Sequence, residues 1–409
     1  MDIAKYTKEI FKIKTDAEFE RLALQAFAHQ KDHCKVYREY LQLVGKKDFK
    51  PTSAAEIPFL PIQLFKSRQI ISEVPKRKAA QRQASQSQVS QDQNLKNEAN
   101  ISDDVFCKNK NSLIFTSSAT AGMIPSKHYV ADVKLYEQDF LKSFEYFYGN
   151  IKNYNLLALL PSYLERKGSS LVYMSDQLIN KIKDSGGEGG FYLYNHEKLL
   201  KDLTRLCGCA AGNHSKSNIS KACEKKEGRA TILLGVSFAL LDFVKFLKTK
   251  TEDLNFCLKS TTKKSNQKPS FANLIIMETG GMKGRGKELT RKELHNTLAT
   301  GFGTSQIHSE YGMAELLSQA YSLKDGKFQT PPWMKIFTRD LMDPFKIVKN
   351  SGGINIIDLA NINSCCFIET EDRGTVEHIC GTSQNGRTFT IDGRIKNSEL
   401  RGCNMLITG

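Results

Sequence analysis

The sequence predicts an α/β protein of largely parallel strands that ends in a β-rich subdomain. Along the middle of the chain, short apolar runs alternate with longer segments of helical spacing, the pattern of strand–crossover–strand units. Each run is followed by small and polar residues, where open parallel sheets bind their ligands. From about Ile336 onward the runs become shorter and strand-like.

The first 50 residues read as helical. Candidate strands follow at Ser112–Phe115, Asn155–Leu160, Thr231–Val236 and Asn273–Met277, each leading into a plausible helix. Val133–Phe147 and Phe238–Leu247 carry apolar residues at helical spacing. The closing runs are FKIVKN, GGINIIDLA, CCFIET and TFTIDG. Three polar segments interrupt the pattern. Residues 75–104 have almost nothing to bury and read as a disordered insertion; 207–229 and 258–270 read as surface loops. No internal repeat is present.

Of the 409 residues, 40% are hydrophobic and 25% charged, as in a soluble globular protein with a sizeable core. No apolar run approaches the roughly 20 residues of a membrane-spanning helix. The N-terminal MDIAKYTKEIFKIK lacks the apolar centre of a signal peptide. We therefore expect a cytoplasmic protein whose ten cysteines are mostly reduced. The net charge of +15 suggests nucleic acid at first sight. Its location argues against that partner, because segments 76–96, 207–229 and 257–270 carry eleven of those charges and all read as solvated insertions. Cys207, Cys209, His214 and Cys223 invite a zinc reading, but C-x-C-x4-H-x8-C fits no common finger spacing.

Four stretches carry candidate chemistry. In FTSSATAGMIPSKH (115–128), Thr116, Ser117, Ser118 and Thr120 offer hydroxyls and N–H groups, Gly122 relaxes the backbone and Lys127 adds charge. Such a loop suits phosphates, and equally a plain strand-to-helix turn. GGMKGRG (280–286), with Gly280 and Gly281, lets a backbone pass close to a flat ligand, or makes a tight loop. In SEYGMAELLSQAYS (309–322), Gly312 follows Tyr311, and Glu315 opens an expected helix. That carboxylate can hold Mg²⁺ against phosphates, or serve the helix dipole. In FIETEDRG (367–374), Asp372 can bind ribose hydroxyls, or simply cap a polar hairpin.

In this order the four resemble the adenylate-forming superfamily, which activates carboxylates as acyl-AMP. TSSATAG, YGMAE, TED and GRIK stand where that superfamily has its phosphate loop, its Tyr-Gly motif ending in Thr-Glu, its Thr-Gly-Asp motif and its Gly-Arg-x-Asp motif. Within it, the chain is most similar to the LuxE-type acyl-protein synthetases, the fatty-acid–protein ligases of bacterial aldehyde synthesis. IPFLPIQLFKS, PSYLERKGSSLVYM, ETGGMKG, EYGMAELLSQAYS, DLANINSCCFIETEDRG and GRIKNSELRGCNM carry that resemblance over roughly residues 55–405. It implies an adenylate-forming N-terminal domain over 1–390, β-rich over about 336–390, and a tail at 391–409. With 15 residues after Arg394, a full C-terminal lid domain is not expected.

The resemblance also implies roles. Thr116 to Gly122 would wrap the phosphates of ATP. Gly280 and Gly281 would lie along the adenine, with Tyr311 near it. Glu315 would hold Mg²⁺, and Asp372 the ribose, with Arg394 close by. Fatty or other carboxylic acids are the implied substrates. The acyl group would pass to Cys403 and then to a partner, an acyl reductase or other acceptor. Four positions depart from the pattern: Ala119 for glycine, Ala121 and Ala314 for threonine, and Lys396 for an acid. A hydroxyl lost at Ala314 costs about 0.5–1.5 kcal/mol of hydrogen bonding.

Overall fold

The computed structural model describes residues 1–72, 102–107, 111–117, 124–161, 168–207, 228–258, 271, 273–280, 289–349, 351–377 and 387–395. The helices in chain order are α1 (Ile3–Ile10), α2 (Asp16–His33), α3 (Lys35–Leu43), α4 (Leu64–Ser67) and α5 (Asp103–Cys107). They continue with α6 (Val133–Tyr148), α7 (Ser170–Asp184), α8 (His196–Cys207), α9 (Ser237–Leu258) and α10 (Arg291–Phe302). The strands begin with β1 (Leu60–Pro61), β2 (Leu113–Thr116), β3 (Lys127–Val130), β4 (Tyr154–Leu159) and β5 (Gly189–Phe191). Next come β6 (Ala230–Val236), β7 (Leu274–Thr279), β8 (Ile307–Tyr311), β9 (Ala320–Ser322) and β10 (Phe328–Gln329). The last are β11 (Met334–Arg339), β12 (Ile347–Val348), β13 (Ser351–Asp358), β14 (Phe367–Glu377) and β15 (Thr388–Arg394).

β5, β4, β6, β7 and β8 pair in parallel, in that order. Their residues alternate between two apolar layers, which is why the runs read as almost continuous in sequence. Leu156, Ala158, Ile232, Leu234, Ile275 and Met277 face one core with Phe140 and Phe144 of α6 and Leu178 of α7. Leu157, Leu159, Leu233, Leu274, Ile276 and Ile307 face the other, with Leu203 of α8, Phe243 of α9 and Leu298 of α10. This is the layered α/β architecture of parallel strands that the sequence predicts, built as helices on both faces of the sheet.

At β8 the sheet changes character. β9, β10, β15, β14, β13, β11 and β12 continue it antiparallel, one beside the next. This β-rich part is laid against the N-terminal helices through Phe367, whose ring lies 6.3 Å from that of Phe27 and 5.8 Å from that of Tyr37. Within the β14–β15 pairing the register shifts between Arg373 and Gly374. A Cβ on Gly374 would lie 2.0 Å from the Thr390 carbonyl oxygen, so the TEDRG motif needs glycine for strand approach.

Two expectations are corrected. The Ser112–Phe115 run is a strand, β2, but the next described element is the strand β3 and not a helix, and β2 stays outside the parallel sheet. It pairs antiparallel with β3, Thr116 opposite Lys127. And Glu315 opens no helix, because residues 312–319 form an irregular link between β8 and β9. The expected insertions fall mostly outside the described residues, but 75–104 ends inside α5, where Asp103 is the first helical residue. No helix of the described residues is long and apolar enough to cross a membrane, and no described cysteine is disulfide-bonded.

Candidate active site at the ends of the parallel strands

The β2–β3 hairpin closes its mouth with hydroxyls. The Ser117 N–H donates to the Ser126 carbonyl at 3.1 Å, and the Ser126 N–H returns a bond to Ser117 Oγ at 2.9 Å. The Thr116 N–H donates to the Gly168 carbonyl at 2.7 Å. Of the expected loop, Ser118, Thr120 and Gly122 lie outside the described residues, as do Ala119 and Ala121.

Strand alternation then divides the hairpin's polar residues between two faces. Ser126 and His128 point one way. The Ser126 hydroxyl donates to Glu315 Oε1, and His128 Nδ1 lies 2.8 Å from the Ala314 carbonyl. Lys127 points the other way, onto Asp103 Oδ2 at 2.5 Å, beside the Tyr129 hydroxyl on Asp103 Oδ1 at 2.7 Å. Lys127 is thus not gathered with Glu315, contrary to expectation, because register sends its side chain to the opposite face.

Glu315 is 6% exposed, and burial raises its carboxyl pKa against the hydrogen bond from Ser126 and the charge of Arg394. Tyr311, the last residue of β8, donates its hydroxyl to Asp372 Oδ2 at 2.8 Å. Its ring packs against Phe328 and Phe389, with centroids 5.7 and 5.4 Å away. Burial raises the Asp372 pKa, opposed by Tyr311 and Arg394. Asp372 sits opposite Arg394 in the β14–β15 pairing. The Arg394 guanidinium is 79% exposed and stands 3.7 Å from Asp372 Oδ1 and 3.9 Å from Glu371 Oε2. Such a solvated pair adds little stability. It does leave a cation at the mouth of the site.

Gly280 follows β7 in a left-handed conformation, φ +67, beside open space. Its carbonyl accepts the Ser237 hydroxyl at 3.1 Å. Gly281 lies outside the described residues. Gly312 follows Tyr311, and a Cβ there would come within 2.5 Å of Glu310 Oε1. So Gly280, Tyr311, Gly312, Glu315, Asp372 and Arg394 cluster around the C-terminal ends of β7 and β8, where a ligand of a parallel sheet binds. Cys403 and Lys396 lie outside the described residues, as do Cys209, His214 and Cys223. Among the described residues, no group of three or more His, Cys, Asp or Glu could hold a metal ion.

Sequence reasoning missed the support beneath this cluster. Ser126 and His128 lay within the quoted hairpin stretch, and Asp358 and Asn361 within DLANINS, but no local pattern marks them. It also missed Glu310, whose carboxyl accepts the Thr279 hydroxyl. Burial, the largest cause, pushes the Glu310 pKa from 4.5 up to about 7. A carboxyl raised on folding stabilises fully below its unfolded pKa, and that contribution is lost as pH rises through the folded value. We expect this part of the stability to decline between about pH 4.5 and 7, and Glu310→Gln to flatten that slope. Urea unfolding midpoints across this range check it; equal slopes in both proteins would refute it.

Comparison with known proteins places this geometry in a fold. No family model matches the sequence, and no curated protein matches it. Solved structures do. The crystal structure of 2-hydroxyisobutyryl-CoA ligase in the postadenylation state with 2-HIB-AMP aligns with 93% of this chain and 68% of its own, at 12% identity and a TM-score of 0.51. The same enzyme with R3-HIB-AMP aligns over the same shares at 10% identity and a TM-score of 0.52. The chain has the fold of the adenylate-forming enzymes' N-terminal domain. Apo MatB from Rhodopseudomonas palustris is matched at 13% identity with a TM-score of 0.41, over 69% of this chain and 48% of its own. The chain thus spans about half to two thirds of the length of these proteins.

Proposed function

We propose that the chain activates a carboxylic acid, a fatty acid in the first instance, as acyl-AMP, and passes the acyl group to its own Cys403. The observation that carries this reading is the convergence of Glu315, Tyr311, Asp372 and Arg394 on one end of the parallel sheet, in a fold whose solved examples include a ligase holding an acyl adenylate.

In the first step an oxygen of the acid attacks the α-phosphorus of ATP. The bond to the bridging oxygen breaks, and pyrophosphate leaves with its electron pair. Asp372, oriented by the Tyr311 hydroxyl, accepts hydrogen bonds from the ribose hydroxyls. Gly280 leaves room for the adenine against the end of β7. Arg394 places positive charge beside the phosphates. Glu315 fits Mg²⁺, which in nucleotide sites takes one or two protein carboxylates together with substrate phosphates. The Ser126 hydroxyl donates to one of its oxygens and fixes the carboxylate. Bound there, Mg²⁺ would neutralise phosphate charge as pyrophosphate departs.

In the second step the Cys403 thiolate attacks the acyl carbon, and AMP leaves with the bonding electrons. A thioester results, from which a partner reductase or other acceptor takes the acyl group. Arg401 stands two residues away and favours the thiolate.

Two measurements test this reading. Pyrophosphate exchange with a panel of carboxylic acids should be acid-dependent; no exchange with any acid, under conditions where ATP binds, would refute adenylation. After incubation with ATP, Mg²⁺ and mixed fatty acids, mass spectrometry should find one acyl group retained on the denatured protein and lost in Cys403→Ala. Transfer to CoA is the second reading, favoured by the CoA ligase that shares the fold. Acid-dependent exchange with no retained acyl group, and acyl-CoA formed when CoA is added, would decide for it.

A further inference from the structure

From Ala314 to Gln319 the link between β8 and β9 is buried without regular secondary structure. Buried backbone groups must find partners, and here they find them in side chains from elsewhere. The Asn361 amide Nδ2 donates to the Glu315 carbonyl at 2.8 Å. His128 Nδ1 lies 2.8 Å from the preceding carbonyl, that of Ala314, and its Nε2 lies 3.0 Å from Asn361 Oδ1. Asn361 therefore touches both the peptide that carries Glu315 and the ring that holds the peptide before it.

Asn361 is itself fixed. It lies in the turn between β13 and β14, which the buried Gln30 of α2 grips. Gln30 Nε2 donates to the carbonyls of Asn361, Ile362 and Ser364 at 3.2, 2.9 and 3.2 Å, and its Oε1 accepts the Cys366 N–H at 2.9 Å. The Ser364 hydroxyl donates to the Ile70 carbonyl at 2.9 Å, and the Ser72 N–H to the Asn363 carbonyl at 2.8 Å. This turn is anchored to the helical layer, and the Glu315 link is anchored to the turn.

We propose that Asn361 is a positioning residue for the Glu315 carboxylate. The inference rests on the reading of Glu315 as the carboxylate that meets Mg²⁺ on the nucleotide. Ser126 fixes that carboxylate at one oxygen; Asn361 fixes the backbone from which it projects. Mg²⁺ demands near-octahedral geometry at short distances, so small displacements of a ligand are felt strongly. Removing the amide leaves the Glu315 carbonyl unsatisfied in a buried place and loosens His128, so the carboxylate loses its fixed origin.

The test separates positioning from general support by binding rather than turnover. The Kd for labelled ATP is measured by equilibrium dialysis in EDTA and in saturating Mg²⁺, for the wild type, Asn361→Ala and Glu315→Gln. In Asn361→Ala we expect the tightening by Mg²⁺ to shrink about tenfold, while the Kd in EDTA stays within twofold of wild type. A merely structural role would weaken both equally, and that result overturns the proposal, as does an unchanged Mg²⁺ effect. If thermal unfolding shows that Asn361→Ala is not folded, His128→Gln is read in the same way. An unchanged Mg²⁺ effect in Glu315→Gln overturns the reading of Glu315 itself. A loss there with none in Asn361→Ala overturns only the positioning role.

Discussion

Replacing Glu315 with glutamine is expected to lower acid-dependent pyrophosphate exchange about 100-fold, the scale of removing one preorganised electrostatic group from a reaction that separates charge. Glutamine keeps the size of the side chain and can still accept the Ser126 hydroxyl. What disappears is the charge. Stability should change little, or rise slightly at neutral pH, because burial penalises the ionised carboxylate in the native protein. Exchange falling while the melting temperature holds is the expected pair of results. A pH effect accompanies it. Burial raises the Glu315 pKa, so the carboxylate takes up its proton at a higher pH than an ordinary glutamate. A metal ligand must be ionised, so exchange in the wild type should fail on the acid side through that raised pKa. The residual exchange of Glu315→Gln should lack this limb. Wild-type exchange in the variant would remove Glu315 from the machinery.

What could be read from the sequence follows a physical division. β4, β6 and β7 were legible because both their faces are buried, so the strands appear as apolar runs whatever their neighbours. Tyr311, Gly312, Glu315, Asp372 and Arg394 were legible as short motifs, and the fold brings them together. The place of β2 was not legible, because pairing with β3 and not with the main sheet is decided by long-range register. The same register sends Lys127 to Asp103 and gives Ser126 to Glu315. The Glu315 link was misread for a further reason. ELLSQA has helical apolar spacing, and Leu316, Leu317 and Ala320 are indeed buried. But the carbonyls of Ala314 and Glu315 meet His128 and Asn361, and the N–H groups of Leu317 and Ser318 go to Asp358. A helical ladder had to compete with these ready-made partners, and Asp358 and Asn361 stand 40 to 46 residues along the chain from the groups they hold.

Asp358→Ala is expected to destabilise the protein by about 4 kcal/mol, because buried donors stranded without an acceptor cost about 1–3 kcal/mol each. Asp358 is fully buried at the end of β13. Its Oδ2 accepts the N–H groups of Leu317 and Ser318, each at 2.9 Å. Its Oδ1 accepts the Ser318 hydroxyl at 2.7 Å and the Ala360 N–H at 3.2 Å. A second buried acid, Asp139 of α6, lies across the same hydroxyl, with its Oδ1 3.1 Å from Ser318 Oγ and 2.5 Å from Trp333 Nε1. Burial first, and the charge of Asp358 second, hold the Asp139 pKa well above the usual carboxylate range. Burial thus favours the protonated form of Asp139, and also raises the pKa of Asp358, whose oxygens serve the four donors. Alanine at 358 strands all four donors; asparagine at 358 still accepts two of them through its one oxygen but turns its amide N–H groups toward the other two, and should cost about 2 kcal/mol. Asparagine also removes the charge facing Asp139. A raised native pKa stabilises below the unfolded value and loses that contribution as pH rises. With the neighbouring charge gone, Asp139 is raised less, and the loss of stability toward alkaline pH should be shallower in Asp358→Asn than in the wild type. Urea midpoints from pH 5 to 9 read both effects. Equal costs for alanine and asparagine, or equal slopes with pH, would show that Asp358 fills space at this site and does not organise the link that bears Glu315.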